Sequence, residues 1–436
     1  MRILLFNTNN PLKEAGVVSL DLFNQLKDKG HEVRLMVNAY NDGYPDGVIS
    51  METSSMLWRR KWMEKLKWRY DKIKNFFFRE INTDSNYCFF VLDEKESYYR
   101  TGRILRRARL KPDAIFVLYA KNFLNIKNIY ELHRKTKAPV YWILYDMAAF
   151  TGGCHYAWDC TGYLKSCGTC PALFSDDPSD ISHLNMLFKR KYIEKTDIHL
   201  IAGSEWQFRQ AKMSSLFRGK PVHKVLISMD PELFKPADKE TLRKKMGIAS
   251  GKKVIFFGSL QLKELRKGMS YLFESLKILQ EIIRKDNPSL EDRIVLLIAG
   301  RGIDAFANDL PFNYHYMGMV TSTEIATAYQ AADVFISPSI EDSGPSMINQ
   351  SLMCGTPVVS FEMGVSLDLV ITGKTGHRAK LRDSRDMGQG IYNIVSLGDE
   401  DYNELKKNCR DLSMELYSPE ARIQKIQNIL TAGEVN

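Results

Sequence analysis

Apolar residues along the chain fall in short, nearly continuous runs, separated by polar loops and by stretches with helical spacing. Arg2-Ile3-Leu4-Leu5-Phe6 reads as a buried strand, a loop through Gly16 follows, and residues 17–29 have the period of a helix. Gly30 stands where a helix stop is expected, and His31–Val37 begins the next strand. Ala114–Leu118, Val140–Leu144 and His199–Ala202 have the same strand character. The rhythm restarts at Lys253–Gly258 and continues through Arg293–Ala299, Tyr314–Met317, Val334–Ser337 and Pro357–Ser360, with a helical segment between successive runs. Strands alternating with helices predict parallel sheets covered on both faces, and hence an α/β chain of two doubly wound domains. The break falls in Asp230–Lys252, where Pro231, Pro236 and Gly251 interrupt the pattern. It separates an N-terminal domain over 1–235 from a C-terminal domain over 236–415, with a final helix over 416–436. Open parallel sheets bind ligands beyond the carboxyl ends of their strands. Two such domains facing across a cleft would place the site in that cleft.

Composition narrows the class. With 436 residues, 44% apolar and 26% charged, the chain is neither disordered nor low-complexity. Mean hydropathy is −0.28, and no run approaches the ~20 apolar residues of a membrane-spanning helix. The opening MRILLFNTNNPLKEAG lacks the pattern of a secretory signal, so a cytoplasmic chain is expected. The net charge of +9 suits nucleic acid, phosphate ligands or acidic lipid equally. Its placement is more telling: Trp58–Arg79 holds nine Lys or Arg against Glu64 and Asp71, so +7 of the +9 lies there. The near-neutral remainder argues against a protein that wraps nucleic acid. Within this insertion, about residues 52–80, Trp58, Trp62, Leu66, Tyr70, Ile73 and Phe77 share one face of a predicted helix. Trp58–Phe78 reads either as a helix lying on an anionic membrane surface or as a core-packed helix with a solvated basic face.

Four of the seven cysteines, Cys154, Cys160, Cys167 and Cys170, form a C-x5-C-x6-C-x2-C cluster over 154–170. Without an export signal, such clustering points to a metal rather than to disulfides. A closed structural zinc site is the expected form, with His155 as a further ligand or a cleft residue. Four reduced thiols and an iron–sulfur cluster are the alternatives.

The richest stretch runs from Ser337 to Ser360: strand, acidic loop, Gly-Pro turn, helix, then Gly355-Thr356-Pro357 leading into another strand. The loop Asp342–Ser346 lies at a strand's carboxyl end and a helix's amino end. Unpaired amides and the helix dipole there favour an anion such as a diphosphate. Glu341, Asp342, Ser343, Gly344 and Ser346 are therefore candidate binding residues, with carboxylates suited to accepting from sugar hydroxyls. The plainer alternative is that Asp342 and Ser343 only cap the helix.

This stretch, with Gly258 through Lys267-Gly268, Leu297–Gly302 and Tyr316–Val320, resembles the nucleotide-sugar domain of family-4 retaining glycosyltransferases of GT-B fold. Ala326–Ser339 is similar to the run that leads into that family's donor loop, while Phe150–Tyr156, the Cys cluster and Ser214–Phe217 resemble one clade of it. The resemblance covers nearly the whole chain in motif order. It implies two Rossmann-like domains facing across a cleft, with the C-terminal helix crossing back to the first. It also implies retaining transfer from a UDP- or GDP-sugar to a saccharide or lipid-linked acceptor in surface polysaccharide or glycan assembly. The implied location is cytoplasmic, peripheral on the inner face of the cell membrane, with no catalytic divalent metal and no nucleic acid.

The family's donor loop carries a Glu-x7-Glu pair, the first acid contacting the donor sugar and the second holding the ribose. Here the pair falls on Asp342 and Gln350, or one residue earlier on Glu341 and Asn349, and neither register supplies two glutamates. Ser259 stands where the family has an Arg, Lys267 matches the family's Lys, and Arg266 is the expected replacement cation at the leaving diphosphate. The Gly16 loop is expected near the diphosphate or the acceptor. Tyr145 replaces a His common among relatives, which leaves Asp146 as the expected acceptor contact. In this mode of transfer the departing phosphate takes the acceptor's proton, so the missing His is tolerable. These departures keep a noncatalytic nucleotide binder as one alternative, and a zinc-containing nucleic-acid binder as another.

Overall fold

The computed structural model describes residues 1–13, 16–53, 83–89, 94–96 and 98–432. The basic aromatic segment Trp58–Phe78 lies outside the described residues. The chain divides into two compact units, one of Met1–Ala202, Phe208–Lys224 and Ile429–Asn436, the other of Gly203–Gln207 and Val225–Asn428.

Unit 1 is built on seven strands: β1 Arg2–Asn7, β2 Glu32–Val37, β3 Val48–Ser50, β4 Ala114–Tyr119, β5 Val140–Ile143, β6 Ile198–Ala202 and β7 Val222–Lys224. They lie in the order β3-β2-β1-β4-β5-β6-β7, and every pairing is parallel. Unit 2 has β8 Lys253–Gln261, β9 Ile294–Arg301, β10 Tyr314–Gly318, β11 Val334–Ser337, β12 Val358–Phe361 and β13 Gly376–Ala379 in the order β10-β9-β8-β11-β12-β13, again all parallel. The central strands are apolar runs, because helices cover both faces of a parallel sheet: Ile3–Phe6 and Val254–Phe257 are wholly buried. In each sheet the direction of winding reverses beside the first strand, between β1 and β4 and between β8 and β11. The result is two Rossmann-like doubly wound units.

The pattern of apolar runs misses three strands, β3, β7 and β13, whose sequences VIS, VHK and GHRA are short and partly polar. All three lie at sheet edges, where burial is one-sided. The chain touches unit 2 at Gly203–Gln207 and passes into it at Val225, ahead of the expected join at Asp230–Lys252, and Lys239–Lys245 is a helix within it. A buried ion cluster explains why so charged a segment packs. Asp333, at the amino end of β11, accepts from Arg243 Nη2 at 2.5 Å, Lys239 Nζ at 2.9 Å and the backbone N–H of Val254 at 2.7 Å. Burial draws the Lys239 ammonium down to about 8 despite Asp333 beside it.

Edge strand β7 is tied to β6 by a pair of histidines. His199 Nδ1 and His223 Nε2 lie 3.0 Å apart with stacked rings, and His199 Nε2 is 3.3 Å from Asp197. Burial lowers both imidazole pKa values; Asp197 partly offsets this for His199, while His199 lowers His223 further. The pair is therefore neutral when folded, and the unfolded chain takes up more protons as pH falls below ~6.5. The thermal midpoint is expected to drop between pH 7.5 and 5.5, and His223→Gln is expected to lessen that drop. An equal drop in both proteins would contradict this role for the pair.

Candidate functional site

The switch point of unit 2 lies between β8 and β11, and two loops meet there. One follows β8 into the turn Leu265–Lys267 and the helix Met269–Asp286; the other follows β11 into the helix Ser346–Met353. The backbone N–H groups of Ile340 and Glu341 donate to the Arg266 carbonyl at 2.8 and 3.4 Å, which joins the loops. Gly268 makes this closeness possible. Its φ is +65°, and a Cβ there would stand 1.9 Å from the Pro338 carbonyl oxygen.

The joined loops bring three predicted residues together. Asp342 Oδ2 accepts from Lys267 Nζ at 2.6 Å and from Arg266 Nη1 at 2.8 Å, and Oδ1 accepts from the Gly344 N–H at 3.2 Å. Arg266 Nε is also bonded to Glu264 at 2.5 Å. Asp342 is 9% exposed. Burial alone would raise its carboxyl pKa, but Lys267 and Arg266 more than reverse this and hold it below the ordinary carboxylate range. The plain capping role fails here, since the helix Ser346–Met353 has Pro345 at its N-cap and no side-chain cap. Two cations thus sit beside a helix amino end, neutralised by Asp342 and Glu264.

The remaining donor-loop positions separate. Gln350 is half-buried and its Oε1 accepts from the Tyr329 hydroxyl at 3.1 Å. Asn349 is buried and bonds the Ile227 carbonyl at 3.3 Å, which puts the alternative register into the packing of unit 2. Glu341 is buried in the joined loops. Ser343 is half-buried and its carbonyl accepts from Ser204 Oγ at 2.5 Å, while Ser346 is exposed at the helix start. At the end of β8, Gly258 is half-buried, and the Ser259 hydroxyl turns to the Gln261 carbonyl at 3.2 Å.

Unit 1 carries a second feature, a cavity of about 310 Å3 at the carboxyl ends of β4 and β5. Tyr145 and Asp146 both line it. The Tyr145 ring stacks on Tyr119 at 5.6 Å and 19°. Asp146 Oδ1 accepts from the Ala148 N–H at 2.7 Å, and Oδ2 is 3.1 Å from His155 Nδ1. Lys189, 2% exposed, donates to the carbonyls of Ala148 and Thr151 at 2.6 and 2.9 Å and lies 3.6 Å from Glu94. Gly16 has a local explanation: a Cβ there would stand 1.9 Å from the Asn10 carbonyl, so the glycine serves the packing of its own loop.

Glu94, Lys189, Tyr119 and Glu264 are absent from the sequence-derived site. A signal existed for Lys189, which shares the buried face of the helix Ile181–Ile193 with Asn185, Met186 and Ile193. A lysine in that position must find buried partners.

Zinc at the cysteine cluster is not shown. Cys154, Cys160, Cys167 and Cys170 do converge on one small cavity of about 20 Å3, and all are free thiols. Yet among the described residues no three His, Cys, Asp or Glu side chains are grouped so as to hold a metal ion. In the metal-free protein, burial pushes the Cys154 and Cys167 thiols up to about 12. His155 is turned to Asp146. Among the described residues no helix is long and apolar enough to cross a membrane.

Residues 251–396 match the family model described as glycosyl transferases group 1. D-inositol 3-phosphate glycosyltransferase of Stackebrandtia nassauensis is 26% identical over 196 residues, 42% of this chain and 43% of that protein. Alpha-monoglucosyldiacylglycerol synthase of Streptococcus pneumoniae is 30% identical over 30% of this chain and 29% of that protein. The chain spans less than half the length of these two curated relatives. Among solved structures, sucrose-phosphate synthase from Thermosynechococcus elongatus superposes with a TM-score of 0.66 at 14% identity, over 100% of both chains. Anabaena HepE in complex with UDP-glucose gives 0.60 at 14% identity, over 99% of this chain and 100% of that one. These likenesses show a fold of the GT-B type.

Gly268→Ala tests the loop junction, with Gly318→Ala as its control, because Gly318 has φ +66° and a Cβ there would meet nothing within 4 Å. The control should lose about 1–2 kcal/mol from backbone strain alone. Gly268→Ala should lose clearly more in denaturant unfolding, and equal losses would contradict the contact.

Proposed function

We propose that this chain is a retaining glycosyltransferase, moving a sugar from a UDP- or GDP-sugar to a saccharide or lipid-linked saccharide acceptor in surface polysaccharide or glycan assembly. The observation that carries this reading is the meeting of Arg266, Lys267 and Asp342 at the switch point of the unit that matches the glycosyl transferase model. A diphosphate brought there competes with Asp342 for the two cations. Lys267 and Arg266 then neutralise charge that grows on the leaving diphosphate, which is the largest electrostatic demand of the reaction. Asp342 turns its acceptor oxygens to the donor sugar, and Gln350 hydrogen-bonds the ribose. Gly258, Ser259, Ser343, Gly344 and Ser346 supply close backbone and hydroxyl contacts around the donor. In unit 1, Tyr145 and Asp146 face the acceptor, whose proton passes to the departing phosphate oxygen.

The HepE complex with UDP-glucose and the relative named as a glucosyldiacylglycerol synthase support a UDP-hexose and a lipid-linked acceptor. The basic aromatic sequence Trp58–Phe78 is the reason for placing the reaction at an anionic membrane surface. One observation favours a second reading, a nucleotide binder without turnover: Asp342 already engages both cations.

A panel of UDP-, GDP- and dTDP-sugars, followed by thermal shift and by nucleotide release with acceptor extracts, separates the two readings. We expect a shift with UDP or GDP and release of that nucleotide. Lys267→Ala should reduce release about 100-fold or more while keeping a cooperative unfolding transition. A shift without release supports the second reading, and neither shift nor release overturns both.

A further inference from the structure

We infer that the cavity at the carboxyl ends of β4 and β5 is a subsite for an uncharged sugar ring and excludes phosphorylated groups. It rests on the proposed function only in calling that sugar the acceptor.

Its volume of about 310 Å3 lies at the lower end of the ~300–1,000 Å3 range of small-molecule sites. Aromatic walls come from Tyr119 and Tyr145, stacked on each other, and from Trp142. Such amphipathic rings suit the mixed C–H and O–H surface of a pyranose. Glu94, Glu96 and Asp146 bring three carboxylates to the same cavity. Ionised carboxylates only accept hydrogen bonds, which matches hydroxyl donors and repels phosphate oxygens.

The buried lysine and the helix amides that a phosphate would need are already engaged by the protein. Lys189 has three ammonium protons, and its partners are the carbonyls of Ala148 and Thr151 and the Glu94 carboxylate. Lys121 also lines the cavity but is exposed, and the Asp146 charge acts on it. The helix Ile126–Thr136 begins at this cavity, and its amino end would be the natural anion seat. There Glu94 Oε1 accepts from the Ile126 N–H at 3.2 Å, and Asn125 Oδ1 accepts from the Asn128 N–H at 2.9 Å. The protein's own carboxylate thus occupies the place a phosphate would take, whereas a carboxylate oxygen that already accepts one hydrogen bond has a second lone pair for a sugar hydroxyl.

Saturation-transfer NMR on the full chain without any nucleotide sugar tests this. The probes are methyl α-D-glucopyranoside, methyl α-D-galactopyranoside and methyl α-D-mannopyranoside, with glucose 6-phosphate as the charged counterpart. At least one neutral glycoside should receive saturation, and glucose 6-phosphate should not. Tyr145→Ala and Asp146→Asn should each weaken the neutral ligand at least tenfold, and Asp146→Asn guards against loss of fold in the first variant. Lys267→Ala should leave the sugar signal intact, so failure of donor turnover and failure of this inference are read separately. No signal from any neutral glycoside, equal binding of glucose 6-phosphate, or unchanged binding in both cavity variants would overturn the inference.

Discussion

One buried carboxylate holds the switch-point loops of unit 2 together. Asp342 loses most of its hydration at the end of β11, and only the two cations of the neighbouring loop make that tolerable. Removing one partner of such a buried arrangement costs about 3–5 kcal/mol, because the remaining charges stay desolvated. The same cluster sets the spacing of the loops after β8 and β11, so the shape of the loop junction and its stability have one cause. Acid unfolding should share it. Asp342 and Asp333 both have carboxyl pKa values below the ordinary range. Their contribution is present above the unfolded carboxylate pKa of ~3.9 and is lost as pH falls through the lower folded values.

A similar logic governs unit 1. Glu94 occupies the amino end of the helix Ile126–Thr136 and faces Lys189, so a position that often binds a ligand anion holds a resident one. The two units therefore differ at the carboxyl ends of their sheets. Unit 2 presents two cations at its switch point, whereas unit 1 presents carboxylates and tyrosines at the ends of β4 and β5. This contrast, more than either fold alone, underlies the proposal that one unit takes a diphosphate and the other hydroxyls.

Much of this was legible in the sequence, for physical reasons that can be named. Long apolar runs such as Ile3–Phe6 and Val254–Phe257 mark central parallel strands because both their faces are buried. Edge strands such as β7, with the sequence VHK, carry too little apolar signal. Asp342 stood out because it lay between a predicted strand end and a helix start, whereas Lys267 and Arg266 stood out through the family resemblance. Their mutual contact was not legible, since it depends on Gly268 bringing two loops together across 75 residues of chain, the separation of Lys267 from Asp342. The cysteines show a different limit. Their spacing rightly suggested that all four meet, and they line one small cavity, but spacing alone does not fix a metal-binding arrangement of their sulfurs.

The central claim is that Arg266 and Lys267 form a diphosphate seat which Asp342 fills in the ligand's absence. A crystal structure of the protein with UDP bound tests it most directly. The account predicts diphosphate oxygens within hydrogen-bond distance of Lys267 Nζ and Arg266, with the 2.6 Å contact between Asp342 and Lys267 lengthened or broken. A diphosphate bound elsewhere, with that contact unchanged, would contradict it.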